Sequence, residues 1–126
     1  MSGHSVTSAR EDITVDNNGT LSNAYQFGSP PGTTWTLIGQ TFEMNVQRNR
    51  YDAVPLLSMS MSNGRIIVDD PIQRVIHFNV SAADIQNYLP VGTYVYDLVM
   101  MDGSSPPLRV PLMHGYLTVE QGVTYP

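Results

Sequence analysis

From Thr41 the chain settles into a strict alternation, with Phe42, Met44 and Val46 apolar and Glu43, Asn45 and Gln47 polar. A period of two places successive side chains on opposite faces, so this segment predicts a half-buried strand. The run 74–80 repeats the pattern, with Ile76, Phe78 and Val80 on one face and Val75, His77 and Asn79 on the other. In 93–101 both faces are apolar: Tyr94, Tyr96, Leu98 and Met100 form one, while Val95, Val99 and Met101 surround Asp97 on the other. A strand of that kind predicts a central place in a sheet.

Breakers separate these runs. Asn63-Gly64 lies between the apolar stretches 55–61 and 65–69 and predicts a hairpin whose returning strand is Arg65 to Asp69. Asp70-Pro71 ends that run, because proline has no N–H for a ladder. Ser81, with Asp84 three residues on, is an N-cap signal and predicts a short helix near 82–88. Pro111 restricts its strand to an edge or a bulge, and Gly115 marks a bend before the last strand, Tyr116 to Val119. Leu89, Gly92 and Tyr94 match the spacing of a tyrosine corner, in which a tyrosine hydroxyl bonds to backbone just upstream.

Before Thr41 the pattern is weaker. Residues 1–19 are polar, with the single β-like triplet Ile13-Thr14-Val15, and read as a polar N-terminal arm or an edge strand. Trp35 follows the turn Ser29-Pro30-Pro31-Gly32. The organisation expected is an arm over 1–19 and a single domain over 20–126. Its fold class is all-β, an immunoglobulin-like antiparallel β-sandwich of about eight strands.

Composition narrows the function classes. Eleven acids against six basic residues leave a net charge of −5, which disfavours a phosphate-gripping groove, so nucleic acid is not an expected partner. No apolar run reaches the roughly 18 residues of a membrane helix, so no membrane is expected either. Cysteine is absent, and the first residues carry no apolar stretch behind a basic cluster, which together favour cytoplasmic synthesis. Only 13% of residues are charged and every basic one is arginine. A neutral surface that retains arginine and omits lysine resembles interfaces, where a hydrated ammonium is costly to desolvate.

Candidate chemistry is sparse. His4, His77 and His114 share no ligand spacing, and a hydrogen-bonded or exposed histidine is the more ordinary reading of each. Asp69, Asp70, Asp97 and Asp102 match no calcium loop. No nucleophile elbow or phosphate-cradling glycine loop occurs, so neither an enzyme nor a bound cofactor or metal is expected. Trp35, Tyr51 and Tyr125 occupy loop or terminal positions, where aromatic side chains serve as core lids, interface anchors or stacking platforms for sugars.

Several stretches carry a resemblance: Phe42 to Arg48, Asn63-Gly-Arg-Ile-Ile-Val, Val75-Ile-His-Phe-Asn-Val-Ser-Ala-Ala-Asp, Leu89-Pro-Val-Gly-Thr-Tyr-Val-Tyr-Asp-Leu and Leu112-Met-His-Gly-Tyr-Leu-Thr-Val, with Val123-Thr. Together they resemble small bacteriophage tail and baseplate proteins and the attachment domains of fibre-associated proteins. The resemblance runs from Thr41 to Thr124. It implies an immunoglobulin-like sandwich acting as a non-enzymatic building block or fibre adaptor in the virion, in several symmetry-related copies contacting other tail, baseplate or fibre proteins. Trp35, Tyr51 and Tyr125 are the candidate interface residues. The alternatives are a receptor- or glycan-binding module using the same aromatics, and a capsid decoration protein.

Overall fold

The structure, a computed structural model, describes residues 9–28, 35–103 and 108–123. These form nine strands and one helix: β1 (Ala9–Arg10), β2 (Ile13–Asp16), β3 (Ala24–Gln26), β4 (Thr41–Gln47), β5 (Leu57–Ser60), β6 (Ile66–Asp70), β7 (Val75–Phe78), α1 (Ala82–Tyr88), β8 (Gly92–Met101) and β9 (Arg109–Glu120). One sheet runs β1-β9-β8-β4-β5 with β2 also on β9, and the other runs β3-β7-β6. The core lies between them.

The alternations read from the sequence set these faces. Phe42, Met44 and Val46 are buried from β4, Ile76 and Phe78 from β7, and Tyr94, Tyr96, Leu98 and Met100 from β8. Strand β8 is central as expected, flanked by β4 and β9. Its outer face is only partly covered, with Val99 buried, Val95 and Met101 half-buried and Asp97 exposed. Helix α1 begins where the cap signal lies: the Asp84 N–H donates to Ser81 Oγ at 3.2 Å, and Ile85 and Leu89 anchor the segment in the core.

Three expectations are corrected. The first concerns residues 1–19 as an arm. Within them β2 pairs in parallel with β9, Ile13 opposite Leu117 and Val15 opposite Val119, and Ile13 and Val15 are 2% and 7% exposed. Residues 9–16 are thus integral to the sheet; a two-residue apolar alternation is too short a signal to separate an edge strand from an arm. The same pairing makes the sandwich antiparallel except at this edge.

The second concerns Asn63-Gly64. The turn forms, with Gly64 in the left-handed region at φ 77°, but β5 pairs with β4 and β6 pairs with β7, in different sheets. Asn63 Oδ1 accepts from the Ser60 and Arg65 N–H groups, and Asn63 Nδ2 and Arg65 Nη1 both donate to the Ser58 carbonyl. Side chains thereby occupy groups that a hairpin ladder would use, and the chain crosses between layers so that Leu57, Met59 and Ile66 all reach the core.

The third concerns Gly115. Strand β9 continues straight through it, because the missing Cβ admits the Glu11 carbonyl, which would lie 2.4 Å from a side chain there. The irregularity sits earlier: Leu98 pairs Met113 while Val99 pairs Pro111, a bulge at the proline as its missing N–H requires.

The strand order, the parallel first strand on the last, and α1 bridging the sheets at the foot of β8 define an immunoglobulin-like sandwich. Its tyrosine corner is formed, with the Tyr94 hydroxyl donating to the Pro90 carbonyl. Tyr94→Phe removes that donor alone and is expected to lower stability by about 1 kcal/mol in urea unfolding; an unchanged midpoint would show the corner to be energetically idle.

Candidate binding surface

Because β8 turns Tyr94 and Leu98 inward, its alternate residues Val95 and Asp97 face outward. The same parity sends Asn45 and Gln47 out from β4, and His114 and Tyr116 out from β9. Arg10 on β1 and the loop after β4, with Arg48, Asn49 and Arg50, complete the rim of a depression of about 580 Å³. Half of the chain's six basic residues line it.

The loop carrying Arg48 and Arg50 is held from several sides. Gln47 Nε2 donates to the Asn49 and Asp52 carbonyls at 3.1 and 3.0 Å, and the Tyr51 N–H donates to Asn49 Oδ1 at 3.0 Å. The Asp52 N–H closes the turn onto the Asn49 carbonyl. Such Asx-type bonds let asparagine and aspartate shape short loops.

The charges in the depression differ in how they are matched. Arg10 lies 5.1 Å above the Tyr116 ring and 3.5 Å from the Asp12 carboxylate. The Tyr116 N–H donates to Asp12, and this bond, with a smaller contribution from Arg10, holds the Asp12 carboxyl below its usual range. Arg48 faces the Tyr94 ring at 5.7 Å. Among the described residues neither Arg48 nor Arg50 has a carboxylate at ion-pair distance.

Asp97 sits across from Asn45 on one side and His114 on the other. Loss of solvent on the sheet face pushes its carboxyl up, Glu43 adds to this, and Arg109 and His114 oppose it. A carboxyl whose folded pKa is raised binds protons more readily folded than unfolded, so it disfavours folding once pH exceeds both values. Asp97→Asn is therefore expected to raise the melting temperature at pH 7, with the gain shrinking as pH falls towards 4. A gain that grows on acidification would contradict this.

The three aromatics singled out from the sequence do not converge. Trp35 is half-buried against the core; its Nε1 donates to the Gly28 carbonyl at 3.0 Å, and Arg74 stacks 5.8 Å from its ring. Arg74 also donates to the Phe27 and Trp35 carbonyls, and these bonds hold its own backbone at φ 62°. Trp35 is thus a lid at the β6–β7 turn. Tyr51 is 89% exposed beyond the other end of β4, whose seven residues separate the two by roughly 20 Å. Tyr125 lies outside the described residues. His77 is hydrogen-bonded, its Nδ1 2.7 Å from Asp69 on the outer face of the smaller sheet. Among the described residues no three ligating side chains gather as a metal site would require.

The depression was missed in the sequence because its residues come from four separated segments. The signal existed in the polar phases of strands whose apolar phases were read as core, and in the close spacing of Arg48 and Arg50.

The strand order places the chain in a class, the immunoglobulin-like β-sandwiches. No protein-family profile matches the sequence, and no curated protein matches it. Among solved structures, the chain is similar to extracellular domains 3–5 of Drosophila OTK, at 14% identity and a TM-score of 0.32. That alignment covers 98% of this chain and 36% of the other, and a score so low carries no argument about fold or function.

Proposed function

We propose that this protein is a non-enzymatic structural protein of a bacteriophage tail or baseplate, working as an assembly or fibre-attachment adaptor among other virion proteins. The observation that carries this reading beyond the sequence resemblance is where exposed apolar side chains fall. Ile38, Ile72 and Leu108 project at one end of the sandwich, from the loops before β4, between β6 and β7, and between β8 and β9. The Leu37 N–H donates to the Pro71 carbonyl at 2.9 Å, which brings the first two loops together. Tyr51, Val54, Tyr88, Val91 and Val123 project at the other end.

Apolar groups gathered at the two poles of a sandwich suit a module that docks end to end, since exposed clusters of this kind mark interaction sites. The low charge lowers the cost of desolvating such ends. The test is antibody or gold labelling of intact particles by electron microscopy, paired with an Ile38→Asp/Leu108→Asp double variant. Label on tails, and particles that lose the protein in the variant, support the reading. Label on heads would make it a capsid decoration protein, and normal incorporation of the variant would remove that pole from the docking role.

A further inference from the structure

We infer that two copies of this chain pair through the free edge of the smaller sheet, the strand from Leu21 to Phe27 of one copy lying antiparallel to the same strand of the second, with Ala24 at the two-fold axis. The inference stands on the sheet edges and is independent of any place in a virion.

The edge is an unbroken strand longer than β3 itself. The Leu21 N–H donates to the Val80 carbonyl at 2.9 Å and the Val80 N–H to the Leu21 carbonyl at 3.0 Å. The Phe78 N–H donates to the Asn23 carbonyl and the Phe27 N–H to the Arg74 carbonyl, each at 2.9 Å. With Ala24 opposite His77, Tyr25 opposite Ile76 and Gln26 opposite Val75, the whole of 21–27 keeps one register against 74–80. Backbone groups alternate sides along a strand, so the odd-numbered residues spend theirs on β7. Ser22, Ala24 and Gln26 turn their N–H and C=O groups the other way. All three residues are exposed, and among the described residues nothing bonds to those groups.

The other edges of the two sheets are guarded. On β5 the Ser58 carbonyl accepts from Asn63 Nδ2 and Arg65 Nη1, and the Ser60 N–H donates to Asn63 Oδ1, so side chains occupy groups that a partner strand would use. Strand β6 is broken by a register shift between Val68 and Asp70 and carries Asp69 and Asp70. The edge formed by β1 and β2 sets Arg10, Asp12 and Asp16 at even-numbered, exposed positions. Capping, bulges and charges are the devices that keep a strand edge from adding a neighbour. The segment 21–27, Leu-Ser-Asn-Ala-Tyr-Gln-Phe, has no charge, no proline and no register shift.

The order of its residues selects a second copy as the occupant. Outward from Ala24 the edge reads alike in both directions: polar Asn23 and Tyr25, then neutral Ser22 and Gln26, then apolar Leu21 and Phe27. In the antiparallel register centred on Ala24, that residue faces Ala24 of the second copy and Ser22 faces Gln26 of the second copy. These are the residues whose backbone groups point outward, so each pair can exchange both ladder bonds. Asn23 comes opposite Tyr25 of the second copy, and the two side chains already match within one chain, where Asn23 Nδ2 donates to the Tyr25 hydroxyl at 3.3 Å. Gln26 Nε2 donates to the Gln73 carbonyl at 3.1 Å, which leaves its Oε1 to accept from the Ser22 hydroxyl of the second copy. No charged side chain meets another along this line, which matters for copies that each carry −5. The product is one continuous sheet, β6-β7-β3 running on through the two-fold axis, an isologous form of strand addition.

The experiment is sedimentation of the intact protein over a series from about 10 μM to about 1 mM, which brackets the weak affinity expected of an interface below standard size. The expected result is a monomer–dimer equilibrium, weakened by about tenfold or more in Ala24→Lys and in Ala24→Glu, where like charges would meet at the axis. Each variant should keep the melting curve of the parent, since position 24 is exposed, and mixing the two variants should restore the dimer. Recovery on mixing requires position 24 of one copy to face position 24 of the other, which a loss of folding would not give. A protein that stays monomeric across the series, either variant dimerising as the parent does, or a mixture of both that stays monomeric would each overturn the inference. So would a dimer abolished by Ile38→Asp/Leu108→Asp and untouched by the changes at Ala24. None of these outcomes bears on where the protein sits in a particle, which the labelling experiment reads separately.

Discussion

A chain lacking residues 1–18 is expected to be largely unfolded at room temperature. The deletion removes Ile13 and Val15 from the core, and burying side chains of this size contributes about 1.5–3 kcal/mol each. It also strips the outer ladder of β9, leaving the edges of Leu117 and Val119 open, and it removes the Glu11 carbonyl that accepts from the buried Tyr96 hydroxyl. Against a total stability on the order of 5–15 kcal/mol, the sum is a large share. The open edge adds a tendency to aggregate. Thermal melts by circular dichroism, with light scattering recorded alongside, check this; a truncated chain melting within a few degrees of the full one would show that the first strands are dispensable. Gly115→Ala probes the same contact without deletion. Its Cβ would lie 2.4 Å from the Glu11 carbonyl and 2.8 Å from Asp12 Oδ1, so the first strands must shift, at a cost of about 1–3 kcal/mol.

Phe78→Ala is expected to cost about 3–5 kcal/mol. Phe78 is fully buried, on the strand between β3 and β6, with the Tyr25 ring 5.4 Å away and tilted by 51°. Truncation removes most of an aromatic side chain and leaves a cavity that two paired sheets cannot close without sliding. The neighbouring His77→Ala is the internal control, because it removes a solvent-exposed pair with Asp69 of the kind that contributes about 0–1 kcal/mol. Urea unfolding of the two variants should therefore separate clearly. Similar midpoints would mean that the smaller sheet does not present Phe78 to the core.

Much of the sandwich could be read from residues in order along the chain. The phase of β4, β7 and β8 needs only alternation, which a strand must obey whatever it pairs with. The helix after Ser81 and the corner at Tyr94 are local too, since each bond spans four residues or fewer. Strand partners were less legible. Asn63-Gly64 encodes a tight turn, but whether the chain then rejoins its own sheet or crosses the core depends on where Ile66 finds a buried neighbour. Ile13 and Val15 carry the right alternation over too few residues to outweigh their polar surroundings. Trp35, Tyr51 and Tyr125 are conspicuous as residue types, yet Trp35 and Tyr51 sit at opposite ends of β4.

The sequence by itself determined that this is an all-β chain, which side chains face inward on its long strands, where its helix and tyrosine corner lie, and that its surface carries little charge. Those properties follow from steric periods and local hydrogen bonds that act within a few residues. The tertiary structure alone decided that residues 9–16 close the larger sheet, that the chain changes layers at Gly64, and that Arg10, Asp97 and Tyr116 share one face. Each of these joins residues far apart in sequence, and such contacts are selected by burial across the whole core and by the pairing of backbone groups, which no local pattern contains.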